Sequence, residues 1–398
     1  MNRPPTITKQ GRPARLEPFD MTDIVRGTDG VLRYAGLPAS LVAMLADVAQ
    51  RRADDEAVVQ LGGPRLTYSD LWRRAARVAG GLRDRGVGRG DRVALAMPNG
   101  VDWVCAFFGT LLAGAVVVPV NIRLAPAEVA YVVGDCGAEV VITPELPLPD
   151  GEPYSAMDVG LNDLAAIFYT SGTTGFPKGA MILHENFLAT CETRGRVTGT
   201  ANESQLRNLV SVPLFHVTGC ISQLLFTVYR GGTTVIMPTF DVQRFLQAIE
   251  AERINICTSV PAIYWLALNQ PNFAEFDVSG VRHLSYGGAP MAPAVVAAVR
   301  KAFPNARLGN GFGLTETSAI CTFLPDRWCD SRPESVGFAA PVVELDLADP
   351  DPLSGVGELV ARGQNIVAGY WNDPARTAET FRDRWLHTGD LALLDDDG

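Results

Sequence analysis

The chain has 398 residues, 47% of them hydrophobic and 20% charged, an ordinary globular composition long enough for two or three packed units. Its formal net charge of -10, with no basic run to offset it, argues against nonspecific nucleic-acid binding. Its seven cysteines are scattered and free of C-x-x-C pairs, which fits reduced thiols in a cytoplasmic protein rather than disulfides or a zinc site.

Residues 1–30 carry Pro, Gly and charge without periodicity and read as a loosely attached arm with no signal-peptide core. A helix is expected after Thr67, where a Thr67–Asp70 capping box precedes Leu71, Ala75, Val78 and Leu82 on one face and Gly86 closes the run. Strand Arg92–Met97 follows. Trp103–Val120 is uncharged and almost long enough to span a membrane, but Gly114 divides it into a buried helix and the β-branched strand Ala115–Val120, so no span is expected. A helix near Pro126–Val133 and strand Glu139–Thr143 continue an alternation that indicates a parallel sheet with covering helices.

Strand Leu164–Phe168 opens a second α/β series. It continues through strands Thr233–Met237, Ile254–Val260 and Val281–Ser285, a helix capped by Asp241 that carries Phe245 and Ile249, and a helix over Ala292–Phe303. From about Ser335 short strands (Val343–Leu347, Glu358–Ala361, Leu391–Leu394) alternate with Gly, Pro and Asp turns, which suggests a small β-subdomain. The expected organisation is an arm at 1–30, α/β subdomains at 31–168 and 169–334, and a barrel-like β-subdomain at 335–398. Asp395–Gly398 reads as a hairpin turn whose partner strand is missing, so the native polypeptide is expected to be longer.

Chemistry concentrates in the run Tyr169-Thr170-Ser171-Gly172-Thr173-Thr174-Gly175-Phe176-Pro177-Lys178-Gly179. Glycines allow a tight turn that aims successive N–H groups at an anion, hydroxyls add donors, and lysine adds charge. That is the chemistry of holding a polyphosphate, although the spacing G-x-x-G-x-x-K is not that of the common phosphate loop. Further along come Pro213-Leu214-Phe215-His216, Gly287-Gly288-Ala289-Pro290, Asn310-Gly311-Phe312-Gly313-Leu314-Thr315-Glu316, Gly369-Tyr370-Trp371-Asn372 and Trp385-Leu386-His387-Thr388-Gly389-Asp390. Gly287 and Gly288 let a flat base lie against backbone, Phe312 can stack on it, and Asn310 can pair with an adenine edge. Glu316 is a hard oxygen ligand suited to Mg²⁺, Thr315 can donate to a phosphate oxygen, and Asp390 can accept from ribose hydroxyls. Taken singly, each has a plain structural reading: a core Phe, a packed His216, a surface Glu, a turn Asp.

Together, in this order, the segments resemble the adenylate-forming enzymes: acyl-CoA synthetases, aryl-CoA ligases, luciferases and peptide-synthetase adenylation domains. The resemblance covers about residue 35 to 398 and is to their large N-terminal domain. It implies two stacked α/β subdomains with mostly parallel sheets and a small distorted β-barrel, with ATP, Mg²⁺ and coenzyme A as co-substrates. By that resemblance Thr170, Ser171, Gly172, Thr173, Thr174, Gly175 and Lys178 hold the β- and γ-phosphates. Gly288, Ala289, Asn310, Gly311, Phe312 and Asp390 hold adenosine. Thr315 and Glu316 sit with the metal at the α-phosphate, Thr170 being a second candidate metal contact, and His216 lies near the substrate carboxylate. The family more often has tyrosine where Phe312 stands. Its small C-terminal lid, with a lysine that assists adenylation, has no counterpart in the sequence, so slow turnover is expected of this chain.

The family's amino-acid-activating members place an aspartate just after the histidine motif. Val217–Gln223 has no acidic residue, and a buried ammonium without a counter-charge is costly, so a hydrophobic acid, fatty rather than aromatic, is expected. Arg362–Ala368 lacks the insertion of ligases that omit the CoA step, which favours CoA as acceptor. A carrier-protein thiol as acceptor, and a non-catalytic nucleotide- or acyl-binding module, stay open as alternatives. Partners are therefore small molecules, without nucleic acid or membrane, and a homodimer stays open.

Overall fold

The structure, a computed structural model, describes residues 16–170, 176–201, 203 and 205–398. Among these, two large sheets carry the fold. A five-stranded sheet runs in the order Ala138–Ile142, Arg92–Leu95, Val116–Pro119, Leu164–Thr170, Lys178–Leu183, parallel except for its last, antiparallel strand. A nine-stranded sheet has Arg307–Phe312, His283–Gly287, Ile256–Ser259, Arg207–Val210, Thr233–Ile236 and Glu56–Gln60 as consecutive parallel strands, and antiparallel strands at both edges. Strand side chains alternate between faces, and the burial follows that period. Val93, Val117, Ala166, Val58, Val210 and Ile236 enter one shared core with the helices Leu41–Arg51, Tyr68–Arg83 and Val101–Leu112. Ala94, Val118 and Ile167 face the opposite way onto Val132 and Cys136 of helix Pro126–Cys136. Val59, Leu209, Val235 and Cys257 face outward beneath helices Val242–Ala251, Pro261–Leu268 and Pro293–Ala302. The result is a five-layer stack in which the two sheets share a central layer of helices, as the expected α/β fold requires.

Local signals explain the individual elements. The Thr67 hydroxyl accepts from Asp70 N–H at 3.1 Å while the Asp70 carboxylate accepts from Thr67 N–H at 3.2 Å, an arrangement worth about 1 kcal/mol. Asp241 accepts from Arg244 N–H at 2.8 Å and starts the helix expected there. Val101–Leu112 is buried at every residue but Asp102, which explains its membrane-like composition, and no described helix is long and apolar enough to cross a membrane. All seven cysteines are buried and free.

Three expectations need correction. The sheets do not divide at residue 168. Glu56–Gln60 and Arg65–Thr67 join the nine-stranded sheet, and Lys178–Leu183 joins the five-stranded one. Parallel strands pair across crossovers, so sequence neighbourhood does not say which sheet a strand enters. The described part of the arm is also fastened rather than loose: Ile24–Arg26 pairs with Leu32–Tyr34, and the Arg26 guanidinium grips buried Glu344 at 2.9 and 3.1 Å. Glu344 lies on Val343–Ala348, which forms a four-stranded antiparallel sheet with Gly357–Gly363, Trp385–Ala392 and Phe381–Arg382. The last long strand is Trp385–Ala392 rather than Leu391–Leu394, and a turn closed by Gly398 N–H to the Asp395 carbonyl follows it.

Candidate functional site

The carboxyl ends of four neighbouring parallel strands converge on a cavity of about 940 Å³, lined there by Val212, Ser259, Gly287 and Gly311. This is where open parallel sheets bind ligands. The antiparallel sheet closes one side with Glu358, Leu386, His387 and Thr388. The five-stranded sheet supplies the strands that flank the hydroxyl-rich run. The two ends of the run, Thr170 and Lys178, are paired across a hairpin and both line the cavity. Ser171, Gly172, Thr173, Thr174 and Gly175 lie outside the described residues. Phe176, the next described residue, stacks on Tyr131 with ring centroids 4.5 Å apart.

Lys178 is placed by lacing that the sequence did not disclose. Ala368–Trp371 runs beside the outer strand of the hairpin: Met181 N–H donates to the Gly369 carbonyl at 2.9 Å and Trp371 N–H to the Gly179 carbonyl at 2.8 Å. This sets the Tyr370 ring 5.4 Å from the Lys178 ammonium. The Tyr370 hydroxyl donates to Glu316 Oε1 at 2.7 Å, and Val367 N–H donates to the Glu316 carbonyl at 3.0 Å. Glu316 itself sits in the short 3₁₀ turn Thr315–Thr317. The two residues after that turn, Ser318 and Ala319, have φ of 50° and 90°, a region that costs side chains on the order of 1 kcal/mol or more. Buried Asn365 holds this turn, donating to the Thr317 carbonyl at 2.9 Å and the Ile320 carbonyl at 2.6 Å.

His216 turns its ring to the cavity beside Phe215, with centroids 4.7 Å apart. Packing of protein around the ring, and then the Arg123 charge, hold its pKa below the ordinary histidine value, so it is neutral at pH 7. The segment that follows, Thr218–Leu225, is a π-helix, a wide turn that recurs at functional sites.

The structure thus brings Thr170, Lys178, His216, Gly288, Gly311, Thr315 and Glu316 to one cavity. Ala289, Asn310, Phe312 and Asp390 are not part of its lining. Strand alternation explains Phe312: Gly311 and Gly313 face the cavity, and the ring between them packs against the cluster of Ile320, Ala340 and Val343. The Asn310 amide donates to the Ser335 carbonyl at 3.0 Å. Asp390 is exposed, one residue beyond cavity-lining Gly389. Gly287 answers to the sheet as much as to a base, since a Cβ there would lie 2.2 Å from the Gly311 carbonyl oxygen.

Sequence reasoning assigned no role to Tyr370, Asn365, Arg376, Arg382 or Arg194, of which all but Asn365 line the cavity. For Arg194 a signal existed. It follows Phe187 and Cys191 at helical spacing, a charge on an apolar stripe.

The family model described as "AMP-binding enzyme" matches residues 45–157 and 148–371. A feruloyl-CoA synthase of Amycolatopsis sp is 37% identical over 372 residues, covering 87% of this chain and 75% of that protein. The long-chain-fatty-acid–CoA ligase FadD13 of Mycobacterium tuberculosis is 33% identical over 369 residues, covering 84% and 72%. The solved N-terminal domain of FACL13 from M. tuberculosis superposes with a TM-score of 0.82 at 30% identity, over 90% of this chain and 98% of that one. With the fold, the cavity and these matches in agreement, the chain belongs to the AMP-binding enzymes, the adenylate-forming family of acyl- and aryl-CoA ligases, and spans their N-terminal domain.

Proposed function

We propose that this cavity activates a carboxylic acid with ATP and passes the acyl group to coenzyme A. A carboxylate oxygen attacks the α-phosphorus of ATP, the bond to the bridging oxygen breaks, and pyrophosphate leaves. The CoA thiol then attacks the acyl carbon, gives up its proton, and AMP departs. The first step brings two anions together, so positioning and positive charge carry it. Lys178 and Thr170, with the loop between them, take the β- and γ-phosphates. Thr315 donates at the α-phosphate, and Gly287, Gly288 and Gly311 form the adenosine wall. Neutral His216 lies against the carboxylate without adding a charge that would trap it. The observation that carries this reading is the convergence of Lys178, Thr315, Glu316 and the glycine-lined strand ends on one cavity.

A magnesium ion fits the donor set. No group of three or more His, Cys, Asp or Glu gathers among the described residues. Mg²⁺ bound to phosphates usually needs only one or two protein carboxylates. Glu316 has one oxygen held by the Tyr370 hydroxyl and would offer the other to such an ion. Bound there, the ion would neutralise charge building on the α-phosphoryl oxygens.

The sequence favours a fatty acid, and the named relatives divide between a feruloyl and a long-chain fatty activity. The test is ATP–pyrophosphate exchange over a panel of fatty, aryl and amino acids, with calorimetric binding of ATP alongside. Exchange supported by one acid class establishes adenylation. ATP binding with no acid-dependent exchange above background across the panel, followed for hours so that the slow turnover expected of this chain registers, overturns it. CoA consumption against loading of a phosphopantetheinyl protein decides the acceptor.

A further inference from the structure

The interior of the cavity is not what an unfunctionalised chain needs. Arg194 lines it from helix His184–Thr198 and is only 2% exposed. No carboxylate pairs with it among the described residues: its guanidinium donates to the Thr258 hydroxyl and lies 5.0 Å from the Phe226 ring centre. Its Nε is buried with no hydrogen-bond partner. Around it the wall is polar, with Ser222, Thr258, Ser259 and Ser285 all lining the cavity and all buried. A buried, uncompensated cation is expensive to keep, and burial pushes the Arg194 pKa down to about 10. Such a group in a ligand cavity is a site feature before it is a structural one.

We infer that Arg194 sets the acid specificity of this cavity by pairing with an oxygen that the acid carries at the end remote from its reacting carboxyl. This deepens the adenylation reading and rests on it. Arg194 and Thr258 line the same cavity as Thr315, Glu316 and His216, and Val212, Val217 and Ser222 are also in its wall, so an acid whose reacting carboxylate sits with Thr315, Glu316 and His216 has Arg194 within the cavity that holds the rest of it. A distal carboxylate or phenolate meets the guanidinium as a charge-assisted pair, and a hydroxyl meets it as a neutral acceptor. A methyl end leaves the cation as it stands, now without water. The fatty-acid expectation from the sequence accordingly gives way to a polar-ended acid, on an aryl or alkyl frame.

The experiment is calorimetric binding of matched acyl-sulfamoyl-adenosines that differ only at the distal end (methyl, hydroxyl or carboxylate) on an aryl and an alkyl frame. On wild type, an oxygen-ended compound should bind at least about tenfold more tightly than its methyl partner, because a site built to pair with a substrate oxygen discriminates strongly against its loss. The preference should collapse in Arg194→Met and return for the carboxylate end alone in Arg194→Lys, with AMP affinity unchanged throughout. A merely structural Arg194 would weaken all compounds alike and leave the ratio between ends intact. Equal or tighter binding of the methyl-ended compound by wild type overturns the inference while leaving adenylation standing, even where Arg194→Met does not fold. Failure of every sulfamoyl-adenosine to bind overturns the adenylation reading instead.

Discussion

His184 makes a quantitative prediction about stability. It begins the helix that carries Arg194, and its ring is 2% exposed. Its Nδ1 accepts from Leu41 N–H at 3.1 Å, which ties the first turn of helix Leu41–Arg51 to the end of the Lys178 strand. Burial lowers its pKa from 6.5 to about 4, against a small opposing effect of the Asp163 charge. The folded-state value is depressed, so the contribution is present above pH 6.5 and is lost as pH falls toward 4. In that window the unfolded chain takes up a proton that the folded chain refuses. The full loss is about 3 kcal/mol, and the part reached at pH 5.0 is about 2 kcal/mol. Neighbouring Glu185 works the other way, because burial raises its pKa and protonation there favours the fold as pH drops. A single pH scan therefore mixes signs, and a variant must isolate the histidine. His184→Asn keeps an acceptor near Leu41 N–H and removes the titration. Urea unfolding of both proteins at pH 7.5 and 5.0 should find the variant less stable at pH 7.5, with the gap smaller by about 2 kcal/mol at pH 5.0. A gap that is the same at both pH values would refute the assignment of a neutral, buried His184.

Three further substitutions probe the site. Tyr370→Phe removes the donor that orients Glu316 and should lower pyrophosphate exchange about tenfold, with a small change in thermal midpoint. An unchanged rate would remove Tyr370 from the site. Asn365→Leu frees the strained Ser318–Ala319 turn of two hydrogen bonds and should cost roughly 2–3 kcal/mol in urea unfolding, with weaker ATP binding than Tyr370→Phe shows. Gly313→Ala places a Cβ 1.9 Å from the Ala319 carbonyl oxygen, so the backbone must move, and AMP affinity measured by calorimetry should fall by more than about tenfold.

What could be read from the sequence was local. Caps at Thr67 and Asp241, the division at Gly114 and the hydroxyl-rich run all announce themselves within a few residues. The partners that finish the site are distant: Tyr370 and Glu316 are 54 residues apart, Asn365 and Thr317 are 48 apart, and Arg194 and Thr258 are 64 apart. No propensity or period links such pairs, because their meeting depends on which strands pair across crossovers. The same ignorance misplaced the boundary at residue 168. Phe312 shows a subtler gap. Its motif was legible, but which way its half-buried ring faces depends on strand register, because neighbouring strand residues point to opposite faces.

The net charge of -10 looks unhelpful for an enzyme that gathers phosphates and a carboxylate, and the structure resolves this by location. Lys178, Arg194, Arg376 and Arg382 all line the cavity, against Glu316, Glu358 and Glu379. Glu358 is partly engaged, accepting from His387 at 2.8 Å and from Gly389 N–H at 3.0 Å, so its charge is spent on the sheet that closes the site. The surface charge acts through water and salt over about a Debye length, while charges lining a cavity are screened much less. A basic cavity in an acidic molecule therefore still attracts anions once they reach its mouth, and raising salt should slow their arrival less than it would for a basic surface patch. The division of positive charge within the cavity follows the chemistry. On the proposed function, Lys178 serves the phosphates and Arg194 the distal end of the acid. On the same proposal the carboxyl that reacts is received between them, beside His216.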